Sequence, residues 1–276
     1  MTDCVAVGYT FNMNNNPITV YWSPLFTVSE HDKDWSFMYP KPKTLFKSTK
    51  EHTKKHELLR HDETDLDHAN VVLACPAVSS KFKKIIVFEN PVNCKYSYDF
   101  TDPEDGFFTP TTKEYIDTKI LRKPMLNYGP CVYFSLEYVL FSDEPLEVSF
   151  TPPMFHPPQY MQHASVIPGD FNIGRWFRPY TTEFQFWKES GEFALKEGEP
   201  LFYAEFKTER PVVLKRFKMN LELKRMSLAC IQSYELFGSG QSLEEKYNKF
   251  EEADMQALVL NEIKKNIVVE SKELEV

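Results

Sequence analysis

Glycine is scarce, at 9 in 276 residues. None of them sits in a Walker loop, a GxGxxG fingerprint or a GxSxG nucleophile elbow, each of which needs Gly where backbone meets phosphate or turns sharply. The nearest approach, Gly238-Ser239-Gly240, has Leu243 where the third Gly belongs. Cysteine is sparse and odd in number: Cys4, Cys75, Cys94, Cys131 and Cys230 are widely spaced with no CxxC pair. That excludes a zinc ribbon or disulfide framework on spacing and points to free thiols in a reducing compartment. Basic residues fall short of acidic ones, 32 against 40, for a net charge of −8. A dedicated nucleic-acid binder carries the opposite balance, because it displaces phosphate counterions with a basic stripe. No run approaches the ~20 apolar residues of a membrane span. The start, MTDCVAVGYTFNMNNN, has no basic stretch followed by an apolar one, so a soluble, cytosol-type chain is expected.

What is abundant is aromatic: 15% of residues, with 23 Phe and 14 Tyr. From about residue 4 to 218 the apolar signal has period two, which puts alternate side chains on opposite faces of a sheet. In the longest stretch Val132, Phe134, Leu136, Tyr138 and Leu140 share one face while Ser135 and Glu137 lie on the other, so this strand should be central, with one face in a core. Shorter strands follow the pattern at Ile18/Val20/Trp22, Tyr96/Tyr98/Phe100, Leu146/Val148/Phe150 and Phe202/Ala204/Phe206. Phe184 to Phe186, Phe193 to Leu195 and, after a Glu197-Gly198-Glu199-Pro200 turn, Leu201 to Phe206 read as consecutive antiparallel strands. Proline clusters at Pro40/Pro42, Pro152/Pro153 and Pro157/Pro158 mark loops or strand ends.

Helical spacing occurs at TKEHTKKHELLR (49–60) and near the C-terminus. Leu223, Met226, Cys230, Tyr234 and Phe237 form one stripe, with Gly238 placed as a C-cap. Ser242 and Glu245 make a capping box that opens a second helix. Its stripe begins Leu243/Tyr247/Phe250 and continues Met255/Val259/Ile263 on a rotated face, which predicts a break near Ala253-Asp254. With no internal repeat or linker, the expected fold is mainly β: a two-layer antiparallel β-sandwich, jelly-roll or cupin-like, over 1–218, with a C-terminal helical extension over 219–276 packed on it.

Three constellations carry possible chemistry. His52 and His56 share a helix face, but His56 and His61 in HELLRH are one residue too far apart for the zincin pair, about 140° around a regular helix. His61 and Glu63 supply the His-x-Glu half of a facial triad, with His163 as distal ligand and Arg175 or Arg178 as partner of a co-substrate carboxylate; iron and 2-oxoglutarate would be the cofactors. Against it, His61 lies in a polar, helix-flanking segment. The densest segment, Ile167 to Pro179, combines Gly169, Gly174, two arginines and Trp176-Phe177. There Arg175 and Arg178 form a candidate anion-binding fork beside Trp176 as a stacking face. The alternative is that Trp176 and Phe177 anchor the loop while the arginines pair with carboxylates. The basic clusters Lys81-Phe82-Lys83-Lys84 and Lys215-Arg216-Phe217-Lys218 read as solvated surface.

The order Cys75-Pro76-Ala77, Lys83-Lys84, Glu89-Asn90-Pro91-Val92, Pro152-Pro153, Gly169-Asp170-Phe171, Arg175-Trp176-Phe177-Arg178-Pro179 and Gly198-Glu199-Pro200-Leu201 resembles an uncharacterised protein family of tailed phages of marine bacteria. More loosely, it is similar to a bacterial domain of unknown function that shares the late Gly-Glu-Pro turn. The resemblance covers roughly residues 17 to 265 and brings no catalytic residue. It implies a viral protein located in the bacterial host cytoplasm or in the virion. The expected function is a phage accessory or virion-associated protein, a non-catalytic binding or structural sandwich without a cofactor, with a protein partner or self-association. The alternatives are the iron oxygenase and a binder of a small anionic ligand or nucleotide.

Overall fold

A computed structural model of the chain describes residues 16–25, 39–57, 73–102, 106–113, 118–121, 129–236, 242–268 and 274–275. Strand β1 (Ile18–Leu25) is followed by the short β2 (Lys43–Thr44) and helices α1 (Leu45–Glu57) and α2 (Pro76–Lys83). Then come β3 (Ile85–Glu89), β4 (Cys94–Asp99), β5 (Phe107–Pro110), β6 (Thr118–Leu121), β7 (Cys131–Ser142) and β8 (Glu147–Thr151), and a 3-10 turn at Gln159–Gln162. Strands β9 (Ala164–Val166), β10 (Gly169–Asn172), β11 (Pro179–Phe186), β12 (Ser190–Leu195), β13 (Pro200–Phe206) and β14 (Val212–Arg216) complete the sandwich. Helices α3 (Leu221–Leu236), α4 (Leu243–Glu252) and α5 (Met255–Lys265) and a short β15 (Leu274–Glu275) close the chain.

The expected mainly antiparallel β-sandwich with C-terminal helices is the architecture observed. A seven-stranded sheet runs β15-β14-β1-β7-β11-β9, with β6 beside β7, and curls over a five-stranded sheet, β10-β8-β13-β3-β2, and a three-stranded one, β12-β4-β5. One pair departs from the antiparallel rule, since β1 and β14 run parallel from Ile18↔Val212. β7 is central, as its alternation predicts, and Val132, Phe134, Leu136, Tyr138 and Leu140 lie in the inter-sheet core. Its other face is not left to water. Val139 and Phe141 pack under α4 and α5 against Phe250, Val259 and Ile263, forming a second core beneath the helices.

The three strands expected to pair in sequence do not pair with one another. β11 lies in the large sheet, β12 pairs with β4, and β13 pairs with β3 and β8. The reason is at the corner between β3 and β4, where the Asn90 N–H donates to the Glu199 carbonyl (2.8 Å) and the Gly198 N–H to the Asn90 carbonyl (2.9 Å). Two long antiparallel ribbons, β3–β4 and β12–β13, therefore bend together, and Gly198 takes the positive φ (+76°) that the turn requires. Helix α2 was not apparent in the alternation. Pro76 opens it from the N-terminal turn, where a missing N–H costs nothing, and its Phe82 is buried against Ile85 and Tyr203.

The capping box and the helix break expected near the C-terminus are both observed. The Ser242 hydroxyl accepts from the Glu245 N–H (3.2 Å) and the Glu245 carboxylate from the Ser242 N–H (2.6 Å). The stripe breaks at Asp254, whose φ of +50° is left-handed, and α5 begins at Met255. Met226 and Cys230 pack on the second core beside buried Leu223; Gly238 lies outside the described residues.

Gly174 holds the loop between β10 and β11 against the β7–β8 turn. A Cβ there would come within 2.1 Å of the Glu144 carbonyl oxygen, which backbone cannot concede without moving both loops. Gly174→Ala is expected to lower stability by about 2–3 kcal/mol, a typical overpacking cost, read as a fall in the urea midpoint at unchanged slope.

Candidate functional site

The segment from Ile167 to Pro179 carries the chain from one layer to the other. β9 pairs with β11 in the large sheet, and after Ile167-Pro168 β10 pairs with β8 in the five-stranded sheet. Asn172 organises the return. Its side-chain oxygen accepts from the Leu146 and Gly174 N–H groups (3.2 and 3.1 Å), and its own N–H donates to the Tyr247 hydroxyl (2.7 Å).

The two arginines of this segment separate into different roles. Arg175 is consumed inside the chain: Nε donates to Glu251 (2.5 Å), and Nη1 and Nη2 bond Glu244, Asn248 and Glu251. Its guanidinium lies over the Tyr247 ring, 5.0 Å from the centroid. These carboxylates push its pKa further up, and the result is a clasp holding α4 to the sandwich. Trp176 is no stacking platform either. It is buried in the core beneath the helices, with Arg178 (4.8 Å) and Lys246 (5.3 Å) over its ring. The joint fork of Arg175 and Arg178 expected from their spacing is thus not formed.

Arg178 behaves differently. Its Nε donates to the Pro179 carbonyl (3.0 Å), and its guanidinium lies over both Trp176 and Phe171, 5.7 Å from the latter's centroid. Among the described residues no carboxylate stands within ion-pairing distance of it. It lines a pocket of about 230 Å³ at the junction of the layers, walled by Phe150, Val166, Phe171 and Phe202, with Tyr180 and Glu183 beside it. The Tyr180 hydroxyl is buried without a hydrogen-bond partner. Burial raises its pKa, against the opposing pull of Arg178, so the phenol stays protonated. Behind Arg178, Glu137 is buried on the outer face of β7. Desolvation raises its pKa, while the Tyr133 hydroxyl that donates to it (2.5 Å) and the charges of Arg178 and Lys224 oppose the rise.

The other candidates are placed as follows. His61 and Glu63 lie outside the described residues. His163 caps the 3-10 turn, its Nδ1 bonded to the Tyr98 hydroxyl (2.8 Å), and Gly191 lies flat against its ring. Among the described residues no group of three or more His, Cys, Asp or Glu side chains is gathered as for a metal. Cys94 and Cys131 are buried free thiols, whereas Cys75 is free and exposed. In the first basic cluster Lys81 pairs with Glu205 and Lys84 with Glu209 around buried Phe82; in the second Phe217 is buried and Arg216 lies over the Trp22 ring.

Sequence spacing gave no role to His156. The Tyr203 hydroxyl, which accepts from backbone N–H groups of Phe155 and His156, donates to its Nδ1 (2.7 Å), and Thr49 Oγ1 stands 3.4 Å from Nε2. Phe155 meets Phe82 at a tilt and stacks on Tyr203, so the loop between Pro153 and Pro157 is latched to the face that α1 and α2 cover. Burial, with His52 and Lys43 nearby, lowers the His156 pKa to about 4. The neutral ring is favoured in the fold while the unfolded chain titrates near 6.5, so stability is level above pH 6.5 and falls as pH drops from 6.5 to about 4. After allowance for partial exposure the loss from this group is about 1–2 kcal/mol. Urea titrations across that range should show the slope in the native chain and a smaller one in His156→Asn.

No protein-family model, curated protein or solved structure matches this chain.

Proposed function

We propose that the chain is a binding protein whose β-sandwich takes a small anionic ligand at Arg178. The observation that carries this reading is a partly buried guanidinium, held between two aromatic rings at the wall of a pocket and given no carboxylate by the described residues. A cation so placed has lost part of its hydration, and although Glu183 on the pocket wall and the buried Glu137 set negative charge near it, neither ion-pairs with it, so an anion would complete its hydrogen bonds. A binding role is supported over catalysis by the buried phenol beside the pocket, whose pKa is raised by burial so that it exchanges no proton near neutral pH.

Thermal-shift and calorimetric titrations with acetate, benzoate, inorganic phosphate and AMP test the site. At least one should stabilise the native chain by mass action. Arg178→Gln should lower that affinity by tenfold or more. Arg175→Gln should leave it within about twofold and instead loosen the helices. Equal losses in the two variants would overturn the assignment.

The resemblance to the family of tailed phages supports an accessory or virion-associated role within this reading, with a protein partner or self-association. Mass spectrometry of purified virions, together with size-exclusion chromatography of the isolated chain, is expected to find it either as a virion component or in a stable complex. A monomer that is absent from virions and recovers no partner from infected lysate would count against that role.

A further inference from the structure

We propose that the segment 153–157 is an acid-opened latch: protonation of His156 breaks its lock on Tyr203 and frees the segment from the face that it covers, while the sandwich stays folded. The backbone gives this segment little hold of its own. It leads from β8 to the 3-10 turn between Pro152-Pro153 and Pro157-Pro158, none of which has an N–H to donate. Among the described residues its one backbone-to-backbone bond runs from the Met154 N–H to the Pro152 carbonyl (2.9 Å) and so ties it to no other element. Met154 and Phe155 are largely exposed.

Side chains hold it instead, and Tyr203 is the hub. This phenol, buried on β13, accepts the backbone N–H groups of Phe155 and His156 and donates its one proton to Nδ1 of the His156 ring (2.7 Å). A hydroxyl has two lone pairs and one donor, so the latch uses all of its capacity. The ring's own proton therefore sits on Nε2, which faces Thr49 Oγ1 of α1 at 3.4 Å. A second proton can go only to Nδ1. There it meets the phenol's proton, donor against donor, and Tyr203 has no lone pair left to accept it.

The surroundings do not compensate a charged ring. His52 of α1 has its ring centroid 6.0 Å from that of His156, and Lys43 of β2 also disfavours a positive charge there. Glu51 and Glu89 are both bonded to Lys43 (2.9 and 2.7 Å). From α2 the segment meets the apolar ring of Phe82, and Lys81 of that helix pairs with Glu205. A protonated His156 is thus driven toward water, and the segment goes with it. In the closed form burial keeps the ring neutral down to about pH 4, whereas the freed segment titrates near 6.5, so opening grows as pH falls through that window. β13 does not follow, because it is paired on both sides, with β3 and with β8. What the segment uncovers is the Phe82 and Tyr203 side of the small core that also holds Leu45, Ile85 and Val87.

Nitrogen NMR of the full chain from about pH 7.5 to about 4.5 follows the His156 ring, and amide exchange, corrected for its intrinsic pH dependence, follows the segment and β13. At the upper end the ring should carry its proton on Nε2. On acidification, opening at the Phe155 and His156 amides should rise about tenfold or more, in step with protonation of the ring, while Ala204 in β13 stays protected. His156→Asn, whose amide oxygen can replace Nδ1 as acceptor and takes no charge, should keep the segment closed at every pH. Tyr203→Phe should open it at every pH. The proposal is overturned if the ring carries its proton on Nδ1 at the upper end, or if it gains a proton with no change at Phe155 and His156. Opening of Ala204 together with them, or a pH response that survives in His156→Asn, overturns it as well.

Discussion

Aromatic rings fill the space between a curled sheet and two bent ribbons, and the remaining architecture follows from the need to keep them in register. Tyr96, Phe108, Phe134, Phe184, Phe186 and Phe193 meet edge to face or tilted, save for the stacked pair of Tyr96 and Phe108, with centroids 4.7 to 6.0 Å apart. A second group, Phe88, Tyr138, Phe150, Tyr180 and Phe202, continues the packing under the five-stranded sheet. Each such pair adds about 0.5–1.5 kcal/mol to what burial alone gives, but only in a narrow range of orientations. A ribbon that stayed flat would carry Tyr96 and Phe193 away from Phe134. The bend at Asn90 and Gly198 keeps both ends of the ribbon on the core, and it separates β12 and β13 into different sheets.

The helices then act as a cover for the one sheet face that the ribbons do not reach. Their hold is both apolar, through Phe250, Val259 and Ile263 on Phe141 and Val139, and polar, through the Arg175 clasp. Bidentate, multiply bonded arginine is worth more than an isolated surface pair, because one ordered side chain satisfies several acceptors at once. Next to the clasp, Trp176 packs under Lys246 and Arg178. One loop thus carries both the clasp and, three residues on, the arginine that lines the pocket.

Much of this was legible in residues whose physics is local. Ser242 and Glu245 specify a cap within one turn, and the rotated stripe at Met255 specifies a break, since a straight helix cannot keep both faces on one core. The alternation of β7 shows its inner face, but not that its outer face lies under helices more than a hundred residues later. Pairing of β12 with β4 depends on a corner that only two carbonyls and two N–H groups define, which no side-chain pattern encodes. The site was half legible. Composition drew attention to Ile167–Pro179, yet Arg175 and Arg178 look alike in sequence. What distinguishes them is whether Glu244 and Glu251 arrive on a helix, and that is a tertiary fact. Tyr180 reads as one more core aromatic until its hydroxyl is followed and found unbonded.

The position of the pocket argues for recognition without large rearrangement. Arg178 precedes β11, Tyr180 lies within it, and Phe150 and Phe202 stand on β8 and β13, so each wall belongs to an element hydrogen-bonded into a sheet. Groups held in this way have already lost their conformational entropy in folding, and a ligand need not order them again. The corner is electrostatically mixed rather than strained: Arg178 lines it with Glu183, and Glu137 lies buried within reach of the same charge, while the Tyr180 hydroxyl is buried unbonded. Leaving that hydroxyl unbonded costs stability that a phenylalanine at the same position would not.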